Sequence, residues 1–512
     1  MLTLPLEPLD EDADPAFTGA SSCKKWLKQL PYASPSATQA LLRTQLEEFN
    51  RYPVRGVERM QALEALRDAV HELQDDCAKR LAGKPLPLNE AELVMLASIT
   101  GLWQAMAVGY QRCLLAFEEG ERQLKAYGAL LCHRCLMYSG RQIFEFLRNG
   151  YEFDGQQWRQ FHSVYLFAEE HDLLTEEVED EFNDHGHLTT CRFMYLKTLF
   201  ACHARVQELT FHQQELLDHW LTQWADSFTI ARTCAVSRGD APPLAIDPAS
   251  TQGLQAFKPE FLDNSSILYL PMVPMSKQLR VTTILLQQGQ SPKQLGLGDE
   301  HDRLDCIDLL THLHRHWCEP RPQRMAERTG SNQVMQLRYG VEDIYALIAR
   351  QPFDSLKPGS APIEETWRTE DLSILGARLL RMKPDGARLG INRLVSVCAG
   401  TNACQLANVV WVSVMRTGHL HMGIRFLPGT PAAVSVRPVI KPGEPVPKTV
   451  PGLLLSAVPS LNIPASLLLP RNVFQPERIV EVTLMNNQRQ KLRLKYSVEK
   501  RVDFERVSFL VA

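Results

Sequence analysis

The sequence predicts a multidomain α+β protein: an all-α helical region, then a small antiparallel β-barrel, then a β-rich C-terminal segment. Three observations predict it. Apolar residues recur three and four apart from about residue 36 to 235, the period of helices with one buried face. After residue 320 the pattern changes to short alternating or β-branched runs broken by Gly, Pro and Asn, as in short antiparallel strands. The length of 512 residues exceeds what one hydrophobic core serves, so several domains are expected.

Composition narrows the function classes. Apolar residues make up 45% and charged residues 22%, close to the globular average, so global disorder is excluded. The formal net charge is −4 with no basic stripe, which argues against a nucleic-acid polymer as partner. A small anion held by two or three arginines needs only a local site and stays open. The N-terminus, MLTLPLEPLDEDADP, is acidic and has neither the basic start nor the apolar core of a signal peptide. The twelve cysteines are scattered, so reduced thiols and a cytoplasmic location are expected. Residues 93–109 carry no charge but contain Ser98, Thr100, Gly101 and Gln104. A spanning helix needs about 20 more apolar residues in a row, so a buried helix is expected and membrane insertion is not. Asn89 and Glu92 offer that helix a capping box.

Taken in order, residues 1–35 read as a loose N-terminal arm, acidic and then Pro- and Ser-containing. Residues 36–235 read as a helical domain, with segments such as VERMQALEALRDAVHELQDDCAKRL. Short connections suggest an antiparallel bundle or a helical-repeat array, although no clean fixed period supports repeats. Residues 236–320 read as a linker and a small middle α/β module or brace. SRGDAPPLAIDPASTQG supplies the linker, SILYLPMV a strand, and SKQLRVTTILLQQG and HDRLDCIDLLTHLHRHW two helices. Residues 321–437 read as the barrel, with strands VMQLRY, ARLLRM, RLVSVC, VVWVSVM and HMGIRFL. Residues 438–512 read as a β-rich extension that begins with a Pro-rich spacer.

Two short patterns stand in the barrel segment. Arg324 and Arg328 form R-x-x-x-R, preceded by Arg321, and Asp371, Ser373 and Gly376 form D-x-S-x-x-G. Each alone has a bland reading: an arginine pair four apart is commonly a solvated helix face, and the second pattern a turn with a carboxylate cap. Their joint order, the strand-rich context, and Trp411 and Gly423 downstream give them weight. The segment resembles the PilZ family of cyclic di-GMP receptors over roughly a quarter of the chain.

The resemblance implies a β-barrel with cyclic di-GMP as its ligand and no other cofactor or metal. It implies a site of Arg321, Arg324, Arg328, Asp371, Ser373 and Gly376, the arginine segment clamping ligand onto barrel strands. The chemistry suits that ligand. Arginine forks donate to phosphate oxygens and stack on guanine. A carboxylate accepts two donors from a guanine edge, and a serine hydroxyl fits either polarity. Gly376 allows a tight turn, or a close approach of ligand or chain. One departure stands out: Arg328 and Asp371 are 43 positions apart, longer than the family pattern. VEDIYALIARQP within that gap reads as an extra helix on a decorated barrel.

Other clusters read as structural. Cys132 and Cys135 form a C-x-x-C without the second pair a metal site needs, so core-facing thiols are expected. His312, His314, His316 and Cys318 do not share one helix face, so a solvated helix end with one core histidine is expected. His185 and His187 read as a loop. G-x-S-x-G, H-E-x-x-H and a P-loop are missing, as are sequences like those that make or degrade the nucleotide, and Gly296 and Gly298 lack a third glycine. The expectation is therefore a receptor without catalysis. It would couple second-messenger level to an unidentified protein partner through the helices, in the cytoplasm or recruited to a cell-surface machine. Where PilZ proteins work implies surface attachment or type IV pilus-related motility. The alternative is a ligand-independent scaffold that keeps the barrel fold.

Overall fold

In the computed structural model the described residues are 2, 4–182, 188–224, 227–298, 301–319, 329–351, 353, 364–383, 385–399, 404–439 and 448–512. The chain forms two units, one of Met1–Lys84 and Leu88–Gln323 and the other of Pro85–Pro87 and Arg324–Ala512.

The first unit is built from helices α1 (Ala20–Leu27), α2 (Pro35–Arg51), α3 (Gly56–Leu81), α4 (Glu90–Glu118), α5 (Gly128–Arg148), α6 (Gln156–Glu170), α7 (Cys191–His203) and α8 (Phe211–Trp224). Between α6 and α7 a two-residue strand pair, β1 (Val178–Glu179) and β2 (Leu188–Thr189), interrupts them. Each long helix buries the stripe its spacing predicts, such as Leu63, Leu66, Val70, Leu73 and Cys77 on α3. The expected capping box starts α4: Asn89 Oδ1 accepts from Glu92 N, and Glu92 Oε2 accepts from Asn89 N, each at 2.9 Å. By length and composition α4 is apolar enough to cross a membrane. Here Ile99, Leu102, Trp103, Met106 and Tyr110 are buried as it packs against α3 and α5.

Cys132 and Cys135 face the core as expected, and so do the two residues between them. Arg134 pairs with Glu64 at 3.1 Å, and Arg67 pairs with Asp180 at 2.8 Å. These pairs join α3, α5 and the segment after β1, and buried charge is tolerated only with such partners.

Within the segment expected as a loose arm, α1 packs on α3, with Phe17 and Cys23 buried. The segment expected as linker and middle module holds β3 (Leu244–Ile246), β4 (Gln255–Ala256) and β5 (Leu268–Leu270), ordered β4-β3-β5. Helices α9 (Val273–Gln287) and α10 (Arg303–Trp317) follow, and the whole segment falls in the first unit. On α10 the expected solvated end does not hold: His312 Nε2 donates to Ala204 O at 2.7 Å, His316 is half-buried, and Cys318 is buried. The reason is the packing of α7 and the turn after it against this helix. His185 and His187 lie outside the described residues.

The second unit holds two closed barrels. Its strands begin with β6 (Thr329–Gly330) and β7 (Val334–Tyr339), then α11 (Val341–Ala349), the extra helix expected between the motifs. Next come β8 (Glu365–Ser373), β9 (Gly376–Arg381), β10 (Leu394–Cys398), β11 (Cys404–Val414) and β12 (Leu420–Phe426). The ring runs β8-β7-β10-β11-β12-β9 and closes by β9 pairing β8, with β6 on the same edge of β8 as β7. The C-terminal extension closes as well. Its strands β13 (Pro431–Pro438), β14 (Val450–Leu455), β15 (Ser466–Pro470), β16 (Ile479–Leu484), β17 (Arg489–Lys500) and β18 (Phe504–Val511) form a barrel ordered β13-β14-β15-β18-β17-β16. Closure leaves neither sheet with an open edge to pair with other chains.

The expectation of reduced thiols fails at one pair. Ten described cysteines are free, but Cys398 and Cys404 are joined. The β10–β11 register sets them directly opposite, 4.2 Å apart at Cα, closer than most cross-strand neighbours.

Besides the second barrel's own core of Val434, Leu467, Val480, Leu492 and Val507, one core is shared between the barrels. Val341, Ile344 and Tyr345 of α11, with Phe353, pack among Leu394 and Leu406 of the first barrel and Leu453, Leu455, Leu468 and Phe504 of the second. Ile344 is fully buried there. Truncating such a residue costs about 2–5 kcal/mol. Ile344→Ala is therefore expected to speed hydrogen exchange in β10 and β11 and in β14 and β15 alike. Acceleration in one barrel alone would contradict a shared core.

Candidate site on the outer face of the first barrel

Strand alternation sorts the side chains of this barrel. Ala377 and Leu379 of β9, Met422 and Ile424 of β12, and Val412 of β11 are buried inside. Their neighbours Arg378, Gly423, Arg425 and Trp411 therefore lie outside. Cross-strand register sets Asp371 opposite Arg378, Ser373 opposite Gly376, Arg378 opposite Gly423, and Trp411 opposite Gly423. Directly opposed residues share a face. Asp371, Ser373, Gly376, Arg378, Gly423 and Trp411 thus form one outer strip across four strands.

A bulge adds to that strip. The β8–β9 register shifts between Thr369, which opposes Leu379, and Asp371, which opposes Arg378. Glu370 is the extra residue, and a bulge turns two consecutive side chains toward one partner. Both acids consequently meet Arg378. Glu370 Oε2 lies 2.7 Å from Arg378 Nε and 3.2 Å from His421 Nδ1. Asp371 Oδ1 accepts from Arg378 N at 3.2 Å. Burial holds the His421 imidazole below its ordinary pKa, with Glu370 opposing. This face gathers no group of three metal-ligating side chains among the described residues.

The expected site residues are distributed as follows. Asp371, Ser373 and Gly376 come together in the β8–β9 hairpin. Ser373 Oγ donates to Gly376 O at 3.0 Å, so the hydroxyl supports the hairpin itself. Gly376 is required by close approach of chain to chain: a Cβ there would meet Ile424 O at 2.2 Å. The same logic fixes Gly423, where a Cβ would meet the Trp411 indole at 2.1 Å. The hairpin tip is apolar and solvent-facing, with Ile374 83% exposed, and Phe426 N donates to Leu375 O at 2.9 Å. Arg321, Arg324 and Arg328 lie outside the described residues. The chain that follows them is described: Thr329 pairs with Leu372, and Gly330 with Asp371. Ser331 N then donates to Glu370 O at 3.2 Å, and Thr369 N to Gln333 O at 2.9 Å. The residues directly after Arg328 therefore run along the strand that carries Asp371.

Sequence reasoning missed Glu370, Arg378 and His421. Glu370 and Arg378 each adjoin or follow the D-x-S-x-x-G, and only the bulge makes both acids neighbours of one arginine.

Gly376→Ala is expected to destabilise the second unit by about 1–3 kcal/mol, the cost of overpacking against unyielding neighbours. Gly330→Ala, with open space around its position, is the control. Thermal unfolding followed by circular dichroism compares them, and equal midpoints would contradict the close-approach argument.

Residues 21–233 match the family model described as the cyclic-di-GMP receptor FimW, N-terminal domain. Residues 434–511 match that of the FimW C-terminal β-barrel domain. The barrel bearing Asp371 lies between these two segments. The cyclic-di-GMP receptor FimW of Pseudomonas aeruginosa is 21% identical to this chain, over 91% of this chain and 86% of the relative. Through helical and C-terminal barrel domains alike, the chain aligns with the FimW family of cyclic-di-GMP receptors.

Proposed function

We propose that this chain is a cyclic di-GMP-binding effector without catalytic activity, and that its ligand site is the outer strip of the first barrel. The observation that carries this reading is the pairing of β6 with β8. It sets Thr329 and Gly330, the two residues that follow R-x-x-x-R in the sequence, opposite Leu372 and Asp371. A fold of the PilZ type is proposed for residues 321–437.

Each group has a task suited to the ligand. Arg324 and Arg328, with Arg321 beside them, supply forks for the two phosphates. Asp371 accepts from a guanine edge. Arg378, held between Glu370 and His421, supplies fixed positive charge at the same face. Support for the ligand comes from the name of the relative and from the two matched domains. Surface attachment or type IV pilus-related motility is the proposed output. The proposed route is a protein partner engaging the helical unit from the cytoplasm.

A second reading, a ligand-independent scaffold, is favoured by one observation: the Ser373 hydroxyl is occupied within the hairpin. Calorimetry with cyclic di-GMP on the full chain separates the two. Arg324→Ala, Arg328→Ala and Asp371→Ala are each expected to weaken binding at least tenfold, about 1.4 kcal/mol. Losing a charge-assisted bond typically costs that much. Binding at wild-type affinity in all three would reject the assigned site, and no binding by the wild type would leave the scaffold reading.

A further inference from the structure

The first unit brings together three side chains that no motif connects. His312 and His316 are four apart on α10 and so share a face, their ring centroids 4.4 Å apart. Glu208 reaches them from a short 3₁₀ turn, Val206–Glu208, that follows α7. One ligand atom from each of the three lies within 4.8 Å of the others.

Glu208 and His316 lie at ion-pair distance without a hydrogen bond. Glu208 Oε2 and His316 Nε2 are 3.6 Å apart, too far for an N–H···O hydrogen bond. Two ligands at about 2.0–2.1 Å from one tetrahedral metal are separated by about 3.3 Å. The observed gap is therefore closer to an edge of a coordination tetrahedron than to a hydrogen bond. His316 Nε2 is shielded from solvent and has no hydrogen-bond partner, and an orphaned buried nitrogen needs an explanation. His312 has the companion feature: its Nε2–H donates to Ala204 O at 2.7 Å. That bond leaves the lone pair of the neutral ring on Nδ1, and metal-binding histidines typically donate their other nitrogen to such a carbonyl.

The backbone around Glu208 is held in place for this. Arg205 is left-handed, with φ 54° and ψ 58°, an uncommon state for a residue with a side chain. It stands between Ala204, which fixes His312, and Glu208. Gln214 Nε2 donates to Val206 O at 3.0 Å and Leu209 O at 3.3 Å, pinning both ends of the turn. Arg205 Nη1 engages Glu208 Oε1 at 3.4 Å, so the Oε2 atom is the one directed at His316. His316 also lines a cavity of about 720 Å³ bounded by Cys202, Arg205, Phe257 and Glu319.

We propose that Glu208, His312 and His316 bind a divalent transition-metal ion, zinc by the chemistry of the set, with a fourth position open to water. Two imidazoles and one carboxylate around an open position suit zinc, and the absence of a thiolate from the set disfavours softer ions. Such an ion joins α10 to the turn after α7.

The test is zinc titration of the metal-free full chain by calorimetry. One equivalent is expected to bind, at least tenfold more weakly in His316→Ala and in Glu208→Gln. His314→Ala, on the other face of α10, is expected to bind as the wild type does. Equal zinc affinity in wild type, His316→Ala and Glu208→Gln would overturn the proposal. If those variants fail to fold, cobalt replaces zinc on the wild type. Visible bands of a four- or five-coordinate nitrogen–oxygen site support the proposal. Thiolate-to-cobalt charge transfer, or a hexa-aquo-like spectrum, overturns it.

Discussion

Helix α11 packs into the core shared between the two barrels. Ile344 and Tyr345 contribute to a core whose other walls come from β10 and β11 on one side and β14, β15 and β18 on the other. Neither barrel encloses that core alone, because the side chains facing α11 come from both. The constraint reaches the candidate site through the chain itself. α11 enters directly from β7 through Gly340, whose φ is 78°. β7 and β6 together form the track beside β8 that sets Thr329 opposite Leu372. The long separation between the two arginine and aspartate motifs thus has a structural content: the helix that joins the barrels.

On this scaffold the outer strip is an electrostatic arrangement more than a cavity. Two acids from one bulge face one arginine, and the His421 imidazole completes the group. Half-exposed pairs of this kind contribute little to stability, about 0–1 kcal/mol. Their effect is positional, because each partner restricts the rotamers of the other. The barrel holds a second charged group for a different purpose. Glu365 accepts from Trp367 Nε1 at 3.0 Å and from Tyr339 Oη at 2.8 Å, and it pairs with Arg381 at 3.2 Å. That cluster is buried and structural. The outer strip is the one within reach of a ligand.

Much of the fold was legible because the periods are strong. Alternation located β7 and β9 through β12, and the capping residues Asn89 and Glu92 located the start of α4. VEDIYALIARQP reads as a helix, and Val341–Ala349 within it form one. Other features depend on pairing partners distant in sequence. Nothing in Thr329–Gly330 announces a strand, since it exists only where β8 receives it. The bulge at Glu370 is invisible without its partner Arg378, so Arg378 and His421 do not read as neighbours of Asp371 in the sequence. The closing of the last six strands into a barrel depends on β13 meeting β16 across 40 residues of chain. Cys398 and Cys404 are ordinary in sequence and adjacent only through a hairpin register. Glu208 joins two histidines more than 100 positions away because a left-handed Arg205 turns the chain after α7. Gly376 reads in the sequence as a tight turn or a close approach of ligand or chain, and the crowding atom in the structure is a backbone oxygen of β12.

On the proposed function, cyclic di-GMP is held between the arginine segment and the β8–β9 hairpin. The most direct measurement is hydrogen exchange of the full chain with and without the nucleotide, read peptide by peptide. A bound phosphate offsets the repulsion among neighbouring arginines, and a ligand shifts an equilibrium only by its differential affinity for two states. The account predicts slowed exchange over residues 301–330 and in β8 and β9, with a smaller change among the helices of residues 36–235. Protection confined to the helical unit or the second barrel, with β8 and β9 unchanged, would contradict it.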